Sequence, residues 1–212
     1  VPATIWGEWG IVREQLPHLD LHPQRAEGPI DEDWGTVMIT YPDGRAADVV
    51  AQRTGPVSAI IRGVLAWDDD QQYGDEIVFE PGAVHERPDD ADESWRPVFR
   101  HVVTVREGKY RTEPVAGPYP GDEAWETLRS RLRPCDLVRS SDANFRLFDQ
   151  QRRQQVPAIF ALLLIPPTVS LVEADALLTA ATADLPDPLF WWELADDAGL
   201  DPTLHAVRGK RY

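Results

Sequence analysis

The sequence predicts an α+β fold: a bent antiparallel sheet or partial β-barrel over residues 30–116, followed by a mostly helical C-terminal half over 121–212. Three observations predict it. Short segments rich in β-branched and apolar residues are punctuated by turn residues as far as about Val115. Beyond Gly121 apolar residues recur at helical spacing. Between the two textures lies Gly117-Pro118-Tyr119-Pro120-Gly121, which suits neither a helix interior nor a central strand. The expected organisation is a mainly β region, 1–116, and a mainly helical region, 121–212, packed as one compact unit.

The strands follow in order. Thr36 to Tyr41 alternates apolar and polar residues and ends at Pro42-Asp43-Gly44, where proline presets φ and glycine accepts a positive φ. Residues 45–52 read as the return strand and 57–67 as a third. Glu76 to Phe79 is a fourth, closed by Pro81-Gly82. Residues 97–106 and 109–115 read as a hairpin about Glu107-Gly108.

The helices are argued from caps. Asp122 opens a helix through Arg133, with Trp125, Leu128 and Leu132 inward and Pro134 as its stop. Ser141 or Asp142 opens a second, with Phe145 and Phe148 inward. Val156 to Ile165 is an unbroken apolar run read as a buried strand, a buried helix segment being the alternative that periodicity leaves open. Ser170 and Glu173 have capping-box spacing for a helix through Thr182. A last helix is expected over 189–198, opened by Asp187-Pro188 and closed by Gly199.

Composition excludes several functions. The chain of 212 residues has 36 Asp and Glu against 21 Lys and Arg, a formal charge of −15. That balance opposes direct nucleic-acid binding and attachment to anionic membranes. No apolar run reaches the eighteen or more residues of a membrane-spanning helix, and residues 1–10 lack the basic-then-apolar order of a signal peptide. The expected location is therefore cytoplasmic. One cysteine forms no internal disulfide and no Cys-based zinc site. The two lysines, Lys109 and Lys210, lie outside any P-loop motif.

Charge is unevenly placed. Residues 66–94 hold eleven acids, including Asp68, Asp69, Asp70, Asp89 and Asp90, against Arg87 alone. Residues 127–155 hold seven arginines against Asp136, Asp142 and Asp149. An acidic lobe of this kind steers a basic partner, while salt adaptation or coding bias accounts for the same acidity without one. The arginine stripe suits phosphate, an acidic partner or internal pairing.

Chemistry-bearing residues are few. His18-Leu19-Asp20-Leu21-His22 places two imidazoles and a carboxylate on one face if the segment is a strand, a set suited to a divalent metal. Surface histidines on an extended segment are the plainer reading. Cys135 lies near Arg133 and Arg139, which favour a thiolate, against the plainer reading of a small buried apolar residue. Trp191 and Trp192 are adjacent, so on a helix only one can face the core, and the other is expected at an interface.

Two partial resemblances accompany these readings. Pro81-Gly82-Ala83-Val84-His85 resembles the second metal motif of cupin barrels, in which a Pro-Gly turn delivers a histidine. That likeness implies a metal at His85 with His101 and Glu86 as further ligands. The family's earlier motif of paired histidines has no counterpart, since residues 36–79 contain no histidine. Residues 57–100, with Ile60-Ile61-Arg62-Gly63-Val64-Leu65 and Gly74-Asp75-Glu76-Ile77-Val78-Phe79, resemble small β-barrel modules of uncharacterised bacterial proteins, immunity-type proteins among them. That second likeness implies a protein-binding role without catalytic residues.

The leading expectation is an acidic, non-catalytic protein that binds another, basic protein through Trp191, Trp192, Asp68, Asp69, Asp70, Asp89 and Asp90, with self-association as a variant and no cofactor. The competing expectation is a metal-dependent enzyme using His18, Asp20, His22, His85 and His101 around a divalent metal.

Overall fold

The computed structural model describes residues 1–19, 21–42, 48–64, 73–85, 87–140 and 144–212. The architecture is α+β: a closed five-stranded barrel, a second sheet and helices. The chain divides into two compact units, one drawn from residues 1–64 and 73–109 and the other from 110–212.

The first unit opens with α1 (Pro2–Ile5), α2 (Trp9–Gln15) and a 3-10 turn (Leu16–Leu19). The barrel comprises β1 (Thr36–Thr40), β2 (Val49–Arg53), β3 (Ser58–Ile61), β4 (Glu76–Ala83) and β5 (Val98–Arg106). Each strand pairs antiparallel with the next, and β1 closes on β5 in parallel through Met38, Ile39 and Thr40 against Val98, Phe99 and Arg100. Alternate residues fill the interior, because successive strand side chains point to opposite faces. Val37, Ile39, Val49, Ala51, Ala59, Ile61, Ile77, Phe79 and Phe99 all enter one core. In this core the rings of Phe79 and Phe99 stand with their centroids 4.7 Å apart. Arg53 lies over both rings and over Trp34, with Nε and Nη2 donating to the carbonyls of Gly55 and Pro56.

The second unit is built on β9 (Gln154–Ile165), which pairs with β6 (Arg111–Pro118), β7 (Asp136–Arg139) and β8 (Arg146–Asp149). Its helices are α3 (Asp122–Arg131), α4 (Leu171–Thr182), α5 (Trp192–Asp197) and α6 (Thr203–Arg211). Val115, Leu137, Ile159, Ala161, Leu163 and Ile165 of the sheet meet Trp125 and Leu128 of α3, Leu178 of α4 and Leu194 of α5 in one core. The capping box of α4 is formed: Ser170 Oγ accepts from the Glu173 amide, and the Glu173 carboxylate accepts from the Ser170 amide.

Several expectations are corrected. The region after Gly121 is not mostly helical, since β7, β8 and β9 precede α4. The helix expected to place Phe145 and Phe148 inward is replaced by β8, and Phe148 is exposed; its proposed caps, Ser141 and Asp142, lie outside the described residues. Four-residue β8 gains its hydrogen bonds from β9, and tertiary pairing of this kind outweighs local helical spacing. Residues 97–106 and 109–115 form no hairpin, because β5 pairs with β1 and β4 whereas β6 pairs with β9. Strand β4 runs through Pro81-Gly82 rather than ending there, accommodated by register shifts against β5.

Leu163 is fully buried on the central strand. Leu163→Ala is expected to lower unfolding free energy by about 2–5 kcal/mol in urea titration, through lost burial and a residual cavity.

Candidate functional site

The two tryptophans are placed by segment 189–191. Phe190 forms a one-residue bridge to Ala116, each amide donating to the other's carbonyl at 2.8 and 3.0 Å. Extended backbone sends Leu189 and Trp191 into the core and Phe190 to the opposite side. Gly117 makes this approach possible: it has φ +148°, and a Cβ there would stand 2.9 Å from the Leu189 side chain. Helix α5 therefore begins at Trp192, later than the spacing predicts, and strand-type alternation separates the indoles. Trp191 is 1% exposed, its Nε1 donating to Asp175 Oδ1 at 2.7 Å, whereas Trp192 is 42% exposed. One indole buried and one at the surface is what the adjacency argument anticipates.

Trp192 is not isolated. Its ring stacks on Phe190 at 5.6 Å, and Phe190 stacks on Tyr212 at 6.3 Å. Leu200, Leu204 and Val207 are also exposed, so four large apolar side chains within residues 192–207 meet solvent.

The tail is fastened by an ion network that sequence reading missed. Asp149, fully buried at the end of β8, accepts from Arg211 Nη2 at 2.7 Å and from the amides of Gln151 and Arg152. Arg211 also reaches Asp187 at 3.3 Å, and Arg152 donates twice to Asp187, at 2.8 and 3.0 Å. The Arg211 guanidinium, with the two amides, holds the Asp149 carboxyl down at about 2 against the opposing effect of its burial. The signal available in sequence was the spacing of His205, Arg208 and Arg211, three residues apart and so on one helical face.

The described part of the acidic stretch lies in turns. Asp89 and Asp90 are exposed on a turn in which the Ala91 amide donates to the Pro88 carbonyl. The next turn is tied by Asp92, whose carboxylate accepts from the Ser94 amide and hydroxyl at 2.8 and 2.6 Å; the hydroxyl and then the amide hold it below the usual range. Arg87 lies 5.7 Å from the Trp95 ring centroid. This stretch is thus a set of bonded turns. Asp68, Asp69 and Asp70 lie outside the described residues.

Among the described residues the candidate metal ligands form no cluster. His18 lies in the 3-10 turn, not on a strand, so its same-face relation to His22 lapses; Asp20 and Glu86 lie outside the described residues. His85 is exposed beyond β4. His101, on β5, stacks on Tyr41 at 4.5 Å with its Nε2 3.2 Å from Thr104 Oγ1. Among the described residues no group of three or more His, Cys, Asp or Glu converges to hold a metal ion. Cys135 is buried, and burial pushes its thiol up, away from a reactive thiolate. Members of the arginine stripe are paired: Arg129 with Asp136 at 3.1 Å and Arg131 with Asp184 at 2.9 Å. No family model, no curated protein and no solved structure matches the chain. Among the described residues no helix is long and apolar enough to cross a membrane.

Two outcomes are expected. Trp191→Ala loses a buried ring and leaves Asp175 without its donor, costing about 3–5 kcal/mol in denaturant titration, whereas Trp192→Ala costs less than about 1 kcal/mol. For Asp149 the folded carboxyl titrates near 2 and the unfolded one near 3.8. Its stabilisation is complete above that upper value and disappears as pH falls toward the lower one. Asp149→Asn is expected to flatten this part of the acid-unfolding curve, measured by circular dichroism.

Proposed function

We propose that the protein is a non-catalytic binding protein that acts through contacts with another protein, as an inhibitor, an immunity protein or a subunit of a complex does. The observation that carries this reading is the exposure of Trp192, Leu200, Leu204 and Val207 within one sixteen-residue stretch. Singly scattered apolar residues are ordinary on a surface, but a tryptophan held on an aromatic stack and partly open to water is the residue type most enriched at binding hot spots. The exposed Asp89 and Asp90 add a charge suited to a basic partner, as does the overall balance of −15. The partner proposed is thus basic overall and offers apolar surface to Trp192.

The test is affinity capture with the intact chain, followed by kinetics on the protein recovered. A partner of this kind is retained by the wild type and lost or weakened tenfold or more by Trp192→Ala, about 1.4 kcal/mol or more of binding. Asp89→Asn with Asp90→Asn slows association and reduces its dependence on salt, because screening acts on exposed charges. A partner captured equally by wild type and Trp192→Ala, with both chains folded, would overturn the assignment of this face. Sedimentation velocity separates a second copy of this chain from a different protein.

A further inference from the structure

Helix α6 is inside out. Its outward side carries Leu204, 56% exposed, and Val207, 60% exposed, together with Ala206 and Lys210. Its inward side carries His205, Arg208, Gly209 and Arg211, followed by Tyr212, with no aliphatic side chain among them. A surface helix ordinarily docks through its apolar stripe and leaves charge in water. This one is held by polar contacts instead. Arg211 is tied to Asp149 and Asp187, the Gln150 amide donates to the Arg211 carbonyl at 2.9 Å, and Arg208 reaches the Leu189 carbonyl at 3.4 Å.

Nearer the start of α6 the buried side chain is His205. His205 is 6% exposed and packs on Trp191, ring centroids 4.4 Å apart. Its Nδ1 is buried without a hydrogen-bond partner. A neutral imidazole tolerates that place. An imidazolium would carry an N–H at Nδ1 with no acceptor and a charge with little water, both costly.

We propose that α6 is a proton-released latch, seated on Phe190 and Trp191 while His205 is neutral and lifting from its His205 end when that imidazole takes up a proton. The groups acting on His205 fix the direction. Burial lowers its pKa from the ordinary 6.5, Arg208 on the same helix lowers it further, and Asp175 on α4 opposes them. From the α5 side it meets the neutral indole of Trp191, whose Nε1 already occupies Asp175 Oδ1. A lifted, hydrated His205 keeps the ordinary value and binds the proton more readily than the docked one. Docking is therefore complete above about pH 6.5, weakens as pH falls below it, and stops weakening once the docked imidazole is itself protonated. Asp149 remains ionised throughout this range, so Arg211 stays as a tether at the far end. Gly199, at φ +69°, and Pro202 bound the short connection on which the helix turns. Lifting the His205 end uncovers the face of the otherwise buried Trp191 on which His205 packs. The inference concerns the docking of α6 and stands whether or not the exposed face binds a partner.

Hydrogen exchange of the intact protein, followed by NMR at pH 7.5, 6.5 and 5.5 and corrected for intrinsic rates, tests it. Protection of the amides of residues 206–210 is expected to fall several-fold from pH 7.5 to 5.5, while amides of α4 keep theirs. His205→Phe, which fills the site with a ring that takes no proton, is expected to hold α6 protection constant. If that variant lowers α4 protection at neutral pH, His205→Gln takes its place in the comparison. Unchanged protection in the wild type would overturn the latch. So would an equal fall in the His205 variant, or α4 losing protection in step with α6.

Discussion

Strand β9 is the constraint on which the second unit depends. Each of the other three strands in that unit takes its ladder from β9, and among the described residues β7 and β8 have no other strand partner. A backbone so placed is cut off from water on both sides, so its amides and carbonyls need neighbouring strands. Residues 158–165 are buried apart from the half-buried Phe160, and β6, β7 and β8 supply the backbone partners of the strand. The price is that short segments with little strand character of their own, such as β8, are drawn into the sheet. The ion network then follows from β8: Asp149 reaches its buried position because β8 ends there, and Arg211 comes to it from the C-terminal helix.

The barrel obeys a different constraint, one of parity. Five strands, each antiparallel to the next, leave the first and last pointing the same way, so closure has to be a parallel pair. The pairing of β1 with β5 is that pair. A closed barrel has no free edge for another chain to extend, which removes strand addition as a way of pairing with one. Exposed polar groups lie on the unit's loops, Asp89 and Asp90 among them.

What was legible in the sequence divides along the same line. Strands β1, β4 and β9 and helices α3 and α4 were visible because alternation, caps and apolar runs are local signals. The capping box of Ser170 and Glu173 is the clearest instance, a reciprocal bond encoded in four residues. The failures are pairings over distance. Nothing near Phe148 says that Gln155 will stand opposite it, and nothing at Glu107-Gly108 says that the strands on either side will join different sheets. The candidate site shows the same division. One buried and one exposed tryptophan followed from adjacency alone, but the reason is the bridge of Phe190 to Ala116, a contact across 74 positions. For His18 and His22 the reason is local: the 3-10 turn at His18 removes the strand periodicity that their common face required.

The polar underside of α6 joins these points. A helix that packs through aliphatic residues is fixed by surface area, a hold nearly indifferent to pH and salt. One that packs through an arginine and a histidine is fixed in part by groups whose worth depends on charge. The Arg211 end answers only to strong acid, because Asp149 titrates so low, while the His205 end answers in the range where histidine ordinarily changes state. Two anchors with such different thresholds give one helix a firm end and a releasable end. The exposed apolar residues Leu204 and Val207 lie on the same short helix, so any movement of its His205 end also re-aims the surface on which the binding reading rests.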